Sequence, residues 1–285
     1  MKTLIVGFDS AWTREKSGAL VGALHSDCGS FQGLGSPDLA DFSEAYKIIS
    51  DWKNQHKSEK TIIMLDQPTI VCNSEGQRPV ENIVASPVGL RYGGVQPANR
   101  KRDEMFGDNA PIWEFLSNYG DPENPFLSSY DTFVLETYPV LSIIALGWSL
   151  PDSRKAGRLP KYNPERRKTF STLDWVHVCQ SLASELCKFE LVSLSQWVES
   201  LKNLDKPHKH DQDGIDACIC LIVGLHLADG KECLMVGDID SGYMIVPSMA
   251  GLYKELIDRC KNTARMSSKW VQPFTRHNLN MDYGG

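Results

Sequence analysis

The chain has 285 residues, of which 41% are hydrophobic and 23% charged, with a formal net charge of −6. That length suits one large α/β domain, or one domain with a sizeable insertion, and buries a large core without staples. The acidic balance excludes a protein that coats nucleic acid by overall charge, though not one with a local basic patch. No apolar run reaches the roughly 18–20 residues that span a bilayer, so no membrane partner is expected.

Residues 3–9 (TLIVGFD) read as a buried first strand rather than a signal peptide, because the apolar run meets Asp9 at once. Residues 18–24 and about 30–35 read as two further short strands joined by Ser, Asp and Gly turns, giving an antiparallel meander. Residues 38–56 carry Leu39, Phe42, Tyr46, Ile49 and Trp52 at helical spacing. Residues 61–66 (TIIMLD) form the next buried strand, closed by Pro68. Residues 69–130, rich in Gly, Pro and Asn, read as an insertion over the sheet edge with a short helical stretch near 98–119. Residues 132–139 (TFVLETYP) form another strand, and 140–147 a helix.

After a Pro/Gly/Lys/Arg loop at 151–164, helices are expected at about 165–188 and 194–203. Residues 213–228 (DGIDACICLIVGLHLA) are apolar nearly all round, hence a buried helix. Residues 235–247 read as a hairpin or edge strand, and the basic tail from Lys261 as loosely packed. Three strands, a helix, a strand, an excursion, a strand and helices predict a mixed sheet covered on both faces.

Three strands end in an acid: Asp9, Asp66 and Glu136. Ligands gather beyond the carboxyl ends of parallel strands, and clustered carboxylates need cations, protons or basic partners. Hard oxygen donors suit Mg²⁺ or Mn²⁺, and two such ions about 4 Å apart clamp an in-line phosphoryl displacement. Any one of these acids also suits a loop or helix cap; three at matching ends favour a shared site. Asp213 and Asp216 share a helix face, but taken alone they suit an N-cap and an acidic first turn better than a metal site, and the two roles are compatible. Asp211 lies one turn too early.

The segments GFDSAW (7–12), LDQP (65–68), NRKRDEMFG (99–107), ETYPV (136–140), PKYNPERRKTF (160–170), DGIDA (213–217) and GYMIVP (242–247) carry a resemblance in their order. The chain resembles the family called "domain of unknown function four-two-nine", predicted ribonuclease-H-like nucleases, over residues 3 to about 247. The resemblance implies a ribonuclease-H-like core. That core is a mixed five-stranded sheet, a three-strand antiparallel meander plus two parallel strands, with helices on both faces.

By likeness to RuvC-type resolvases, the resemblance implies two divalent ions, Mg²⁺ or Mn²⁺, on Asp9, Asp66, Asp213 and Asp216. It places Glu136 at the family's Glu-x-x-Pro position, and Lys161 and Arg166 at its basic positions. Ser10 stands where many relatives have Gly. The expected organisation is one domain over 1–250, with the insertion at about 69–130, and a C-terminal extension over 251–285.

Between Arg154 and Lys168 lie seven basic residues and one acid, Glu165, in a chain that is acidic overall. A cation cluster beside an acidic site suits a phosphodiester backbone, and equally suits a solvated loop. Lys155, Arg158, Lys161 and Arg166 are the candidate phosphate contacts, with Arg100 and Arg102 a smaller second cluster. Lys161 is also a candidate catalytic residue. His208 and His210 suit a proton shuttle or a polar loop. The eight cysteines contain no CxxC pair and read as buried reduced thiols of a cytoplasmic protein.

The expected function is metal-dependent hydrolysis of DNA or RNA phosphodiester bonds by a two-metal mechanism. The alternatives are an inactive ribonuclease-H-fold module that binds nucleic acid or a partner, and an actin/sugar-kinase phosphotransferase. The latter needs two such cores and glycine-rich phosphate loops, and neither is visible.

Overall fold

The computed structural model describes residues 2–14, 16–127 and 131–279, so residues 128–130 and 280–285 of the expected insertion and extension lie outside it. Strand β1 (Lys2–Asp9) is buried along its whole length after Lys2. It pairs antiparallel with β2 (Gly18–Ser26), whose far edge carries the short β3 (Phe31–Gly33) and β4 (Asp38–Ala40). Helix α1 (Phe42–His56) starts later than its periodicity suggests. Asp41 accepts from the Glu44 amide at 2.8 Å, and Glu44 reaches back to the Asp41 amide at 3.0 Å. This capping box fixes the start and leaves residues 38–40 free to pair as a strand.

Strands β5 (Lys60–Leu65) and β6 (Thr132–Glu136) add in parallel on the other side of β1. The sheet runs β3-β2-β1-β5-β6 with β4 also on β2, which makes six strands where five were expected. One face packs Leu4, Val6, Phe8, Ile63, Leu65 and Val134 against α1 and the later helix α4 (Pro111–Ser117). The fold is mixed α/β, with parallel and antiparallel pairs in one sheet.

The stretch 69–130 is more ordered than its composition suggests. Helix α2 (Pro79–Leu90) buries Val80, Ile83, Val84 and Val88 in the largest core cluster. Pro79 in its first turn is well placed, but Pro87 and Gly89 break the apolar periodicity and hide it. Helix α3 (Asp103–Phe106) is a single turn before α4. Helix α5 (Pro139–Ala145) follows β6. Helix α6 (Thr172–Lys188) begins at its Ser171 N-cap, so residues 165–170 are turns rather than helix; α7 (Val192–Leu201) packs beside it.

Helix α8 (Lys209–Ala228) crosses the second face of the sheet, and nearly every residue after its first turn is buried. Its closeness depends on Gly7: an added Cβ there would overlap the Ala217 carbonyl oxygen and the Leu221 backbone. Gly224 likewise rests on Ile5 and Met64. The helix therefore runs back along β1, which brings its N-terminal turns to the carboxyl end of that strand.

A second sheet, β8-β7-β9, is built from β7 (Cys233–Asp238), β8 (Gly242–Pro247) and β9 (Val271–Phe274). Helices α9 (Ala250–Asn262) and α10 (Ser267–Trp270) connect the last two strands. Within the described residues, as far as Leu279, the tail is not loose: Val271, Phe274 and Leu279 are buried. These apolar anchors sit singly among polar residues, too sparsely to show in a window average. Cys179, Cys218, Cys220, Cys233 and Cys260 are buried thiols, but Cys28, Cys72 and Cys187 are exposed. Among the described residues no helix is long and apolar enough to cross a membrane.

Candidate functional site

Sheet register sorts the three strand-end acids. Phe8, Leu65 and Glu136 lie side by side across β1, β5 and β6. Asp9 and Asp66 each come one residue later. Side chains alternate along a strand, so Asp9 and Asp66 turn to the α8 face and Glu136 turns to the other. There Arg78 donates to both Glu136 oxygens, at 2.6 and 2.8 Å, and to Glu81 at 2.7 Å. The Thr69 amide adds a bond to Glu136 at 3.2 Å. Arg78, Glu81 and Glu136 are all fully buried. Burial pushes the Glu136 carboxyl up, and the Arg78 guanidinium works against that push. Glu136 borders the cavity but is committed to a buried ion network.

Asp213 and Asp216 are not helix caps. The helix starts at Lys209, and its cap is completed by Asp211, which accepts from the His208 amide at 2.7 Å. Asp213 and Asp216 sit further along the helix, facing Asp9 and Asp66 across a cavity of about 470 Å³. Burial raises the Asp9 carboxyl well above the usual range, and Asp216, Asp66 and Asp213 add to the rise. Asp66 is raised for the same reasons, burial first and then Asp216 and Glu136, against a hydrogen bond with Asp9. A carboxyl–carboxyl hydrogen bond needs a proton on one partner.

Asp216 is pushed up to about 6 by burial, although two donors favour its charged form. These are the Tyr162 hydroxyl at 2.6 Å and Gln212 Nε2 at 2.8 Å. Lys209 ion-pairs with Asp213. Burial alone lowers the Lys209 ammonium, but Asp9, Asp213 and Asp216 outweigh it and raise it. The resting site thus balances its carboxylates with one ammonium and retained protons.

The floor of the cavity is fixed by side chains around these acids. Ser10 donates to Gln67 Oε1 at 2.5 Å, and Trp12 Nε1 donates to the Asp66 carbonyl oxygen at 2.8 Å. Gln67 Nε2 and Gln212 Oε1 are buried with no hydrogen-bond partner among the described residues. Among those residues no group of three or more His, Cys, Asp or Glu side chains is placed so as to hold a metal ion. The donor set has the chemistry of a hard divalent-cation site: carboxylate oxygens from three segments beside orphaned amides.

The basic candidates divide. Arg166 lines the acidic cavity, and Lys161 lines a second cavity that adjoins it. Arg158 is taken by the buried Asp174 carboxylate, and Lys155 is exposed and borders neither cavity. Arg100 stacks over Trp113 at 4.7 Å and donates to the Phe106 carbonyl oxygen, while Arg102 bonds Gln96. His208 and His210 stack on each other outside the acidic cavity, whereas Lys209 between them faces it. Sequence reasoning missed Arg78, Tyr162, Gln67 and Gln212. Gln67 and Tyr162 lie inside the quoted LDQP and PKYNPERRKTF segments, but only tertiary contacts give them roles.

Fold and site define an α/β protein with an acidic cavity where β1 and β5 end, closed by a buried helix that supplies two more carboxylates. The chain belongs to the family described as "Protein of unknown function (DUF429)", which matches residues 7–240. That span holds all four aspartates and leaves β8, α9, α10 and β9 beyond it. No curated protein and no solved structure matches the chain.

Proposed function

We propose that this protein is a divalent-metal-dependent phosphodiesterase acting on DNA or RNA, built on a ribonuclease-H-like arrangement of its main sheet. The observation that carries the reading is the convergence of Asp9, Asp66, Asp213 and Asp216 on one cavity, at a cost in mutual repulsion. Such a cluster is retained where a cation is to be bound. Asp9, Asp66, Asp213 and Asp216 would hold Mg²⁺ or Mn²⁺. When bound, the metal lowers the pKa of an attacking water and neutralises charge on the phosphate.

The chain's own side chains support that chemistry. Tyr162 and Gln212 fix the two oxygens of Asp216. Lys209 neutralises Asp213 in the resting site, and a bound cation would replace it as the partner of that carboxylate. Arg166, exposed at the rim, meets the phosphodiester backbone without reading sequence. Arg78 holds Glu136 away from the aspartates, so the cluster keeps four carboxylates rather than five.

The test is incubation of the purified protein with labelled single-stranded, double-stranded and branched DNA and RNA, with Mn²⁺ and with EDTA. Cleavage that requires Mn²⁺ and disappears in Asp9→Asn is the expected result. Full cleavage by a folded Asp9→Asn protein overturns the reading.

A further inference from the structure

A second cavity, of about 320 Å³, adjoins the acidic one and shares Asp66, Gly94, Tyr138, Arg166, Gln212 and Asp216 with it. Its character differs. Tyr92, Tyr138 and Tyr162 line it together with prolines and aliphatic side chains, and Lys161 and Arg166 supply its positive charge. Gln212, more than nine-tenths buried, leaves Oε1 without a partner among the described residues where the two cavities meet. The Tyr138 hydroxyl is tied to the Gly94 carbonyl oxygen at 3.0 Å, which holds that ring in place.

Tyr92 is the unusual member. Its φ is +61°, in the left-handed region, which costs a bulky residue of the order of 1–3 kcal/mol. The turn is held by the Tyr92 amide on the Gly89 carbonyl oxygen at 3.1 Å and the Gly93 amide on Val88 at 3.0 Å. Tyr92 as a residue is 45% exposed, and the Arg154 guanidinium lies over its ring at 3.7 Å from the ring centre. A strained backbone thus presents an exposed, cation-backed aromatic at a cavity whose far side opens on carboxylates.

Aromatic walls, a cationic rim and a volume near the lower limit of ligand pockets suit one planar heteroaromatic group attached to a phosphate. A base pair with both its backbones does not fit that volume. We propose that this second cavity seats one unpaired base of the strand whose phosphate lies at Asp9, Asp66, Asp213 and Asp216, with Tyr92 as a stacking surface. The proposal rests on the phosphodiesterase reading and narrows it: the substrate is unpaired at the nucleotide beside the reacting phosphate. Gln212 Oε1 accepts from the base or sugar edge, and Lys161 and Arg166 meet the neighbouring phosphates.

The test measures binding rather than cleavage. A labelled mixed-sequence DNA strand, its RNA counterpart, the matching duplexes and a strand carrying abasic sites are titrated by fluorescence anisotropy, in Ca²⁺ and in EDTA. Wild type, Tyr92→Ala and Tyr92→Phe are compared. Single strands should bind wild type at least about tenfold more tightly than duplexes. Tyr92→Ala should weaken strand binding by about tenfold, the scale of one base–aromatic stack, and Tyr92→Phe should keep it. The abasic strand should bind wild type weakly, a result that needs no altered protein to read, and its affinity should not change in the Tyr92 variants. Equal binding of strands and duplexes, unaffected by Tyr92→Ala, overturns the base pocket while leaving the phosphodiesterase reading standing. No binding of any nucleic acid under either condition overturns both.

Discussion

The Tyr162 hydroxyl donates to Asp216 Oδ1 at 2.6 Å, joining the loop after α5 to the buried helix α8. Gln212 Nε2 donates to the other oxygen, so the carboxylate is held from both sides. Tyr162→Phe keeps the ring and removes one donor to the charged form. Asp216 should then move above about 6, and each further pKa unit weakens metal binding about tenfold at a pH below the new value. Calorimetric titration with Mn²⁺ at pH 6 checks this; an unchanged affinity means the hydroxyl does not support the carboxylate.

Protons and metal should each stabilise the folded site, at opposite ends of the pH range. The folded Asp216 carboxyl sits at about 6 against 3.8 ordinarily, and Asp9 and Asp66 are raised as well. The folded state therefore binds more protons than the unfolded one in this window. The contribution of these groups is fully present below 3.8 and is lost as pH rises through about 6. Metal needs the ionised carboxylates, so the Mn²⁺-induced rise in Tm should grow as pH rises through the same value. Glu185, held down to about 2 chiefly by its hydrogen bond with His226, follows the opposite trend. The measurement is accordingly the difference in Tm between wild type and Asp216→Asn from pH 4 to pH 7.5. A difference that does not vary with pH rules out the linkage.

Asp9→Asn should make the metal-free protein more stable while abolishing its response to metal. Asp9 carries repulsion from Asp216, Asp66 and Asp213, and an amide of equal size removes it. The gain is about 1–2 kcal/mol, a few degrees in Tm. Thermal melts with EDTA and with Mn²⁺ give both numbers. A metal-free Tm below that of wild type would show that the Asp9 charge is structurally satisfied.

Arg166 and Arg158 stand eight positions apart in the same basic segment but should behave differently. Arg166 is exposed at the rim of both cavities. Arg166→Ala should flatten the log–log salt dependence of nucleic-acid binding by about 0.7–0.9 and leave stability within about 0.5 kcal/mol. Arg158 serves the buried Asp174 carboxylate, which also accepts from the hydroxyl of Ser171, the N-cap of α6. Arg158→Ala should cost about 1–2 kcal/mol in urea unfolding and leave the salt slope intact. If the two variants exchange these effects, the placement of the substrate path along Arg166 is wrong.

The acids that line the cavity were legible in the sequence because each ends or opens a strongly patterned element: Asp9 after TLIVGF, Asp66 after TIIML, and the Asp213/Asp216 pair on an all-apolar helix. Hydrophobic periodicity is a local signal, and it places such residues well. The helix α2 was not legible, since Pro87 and Gly89 interrupt its pattern, and its stability comes from burial of Val80, Ile83, Val84 and Val88 against distant elements.

Local signals also left open whether Asp213 and Asp216 were caps, and whether Glu136 belonged with the other strand-end acids. Position along a strand is local, but facing is not. One residue of register between Glu136 and the Asp9–Asp66 pair turns its side chain to the opposite face, where the buried Arg78 claims it. The sequence by itself determined which carboxylates stand at the ends of elements. Only the tertiary structure decided which of them meet, because strand register and the close approach of α8 over Gly7 depend on contacts between residues far apart in the chain.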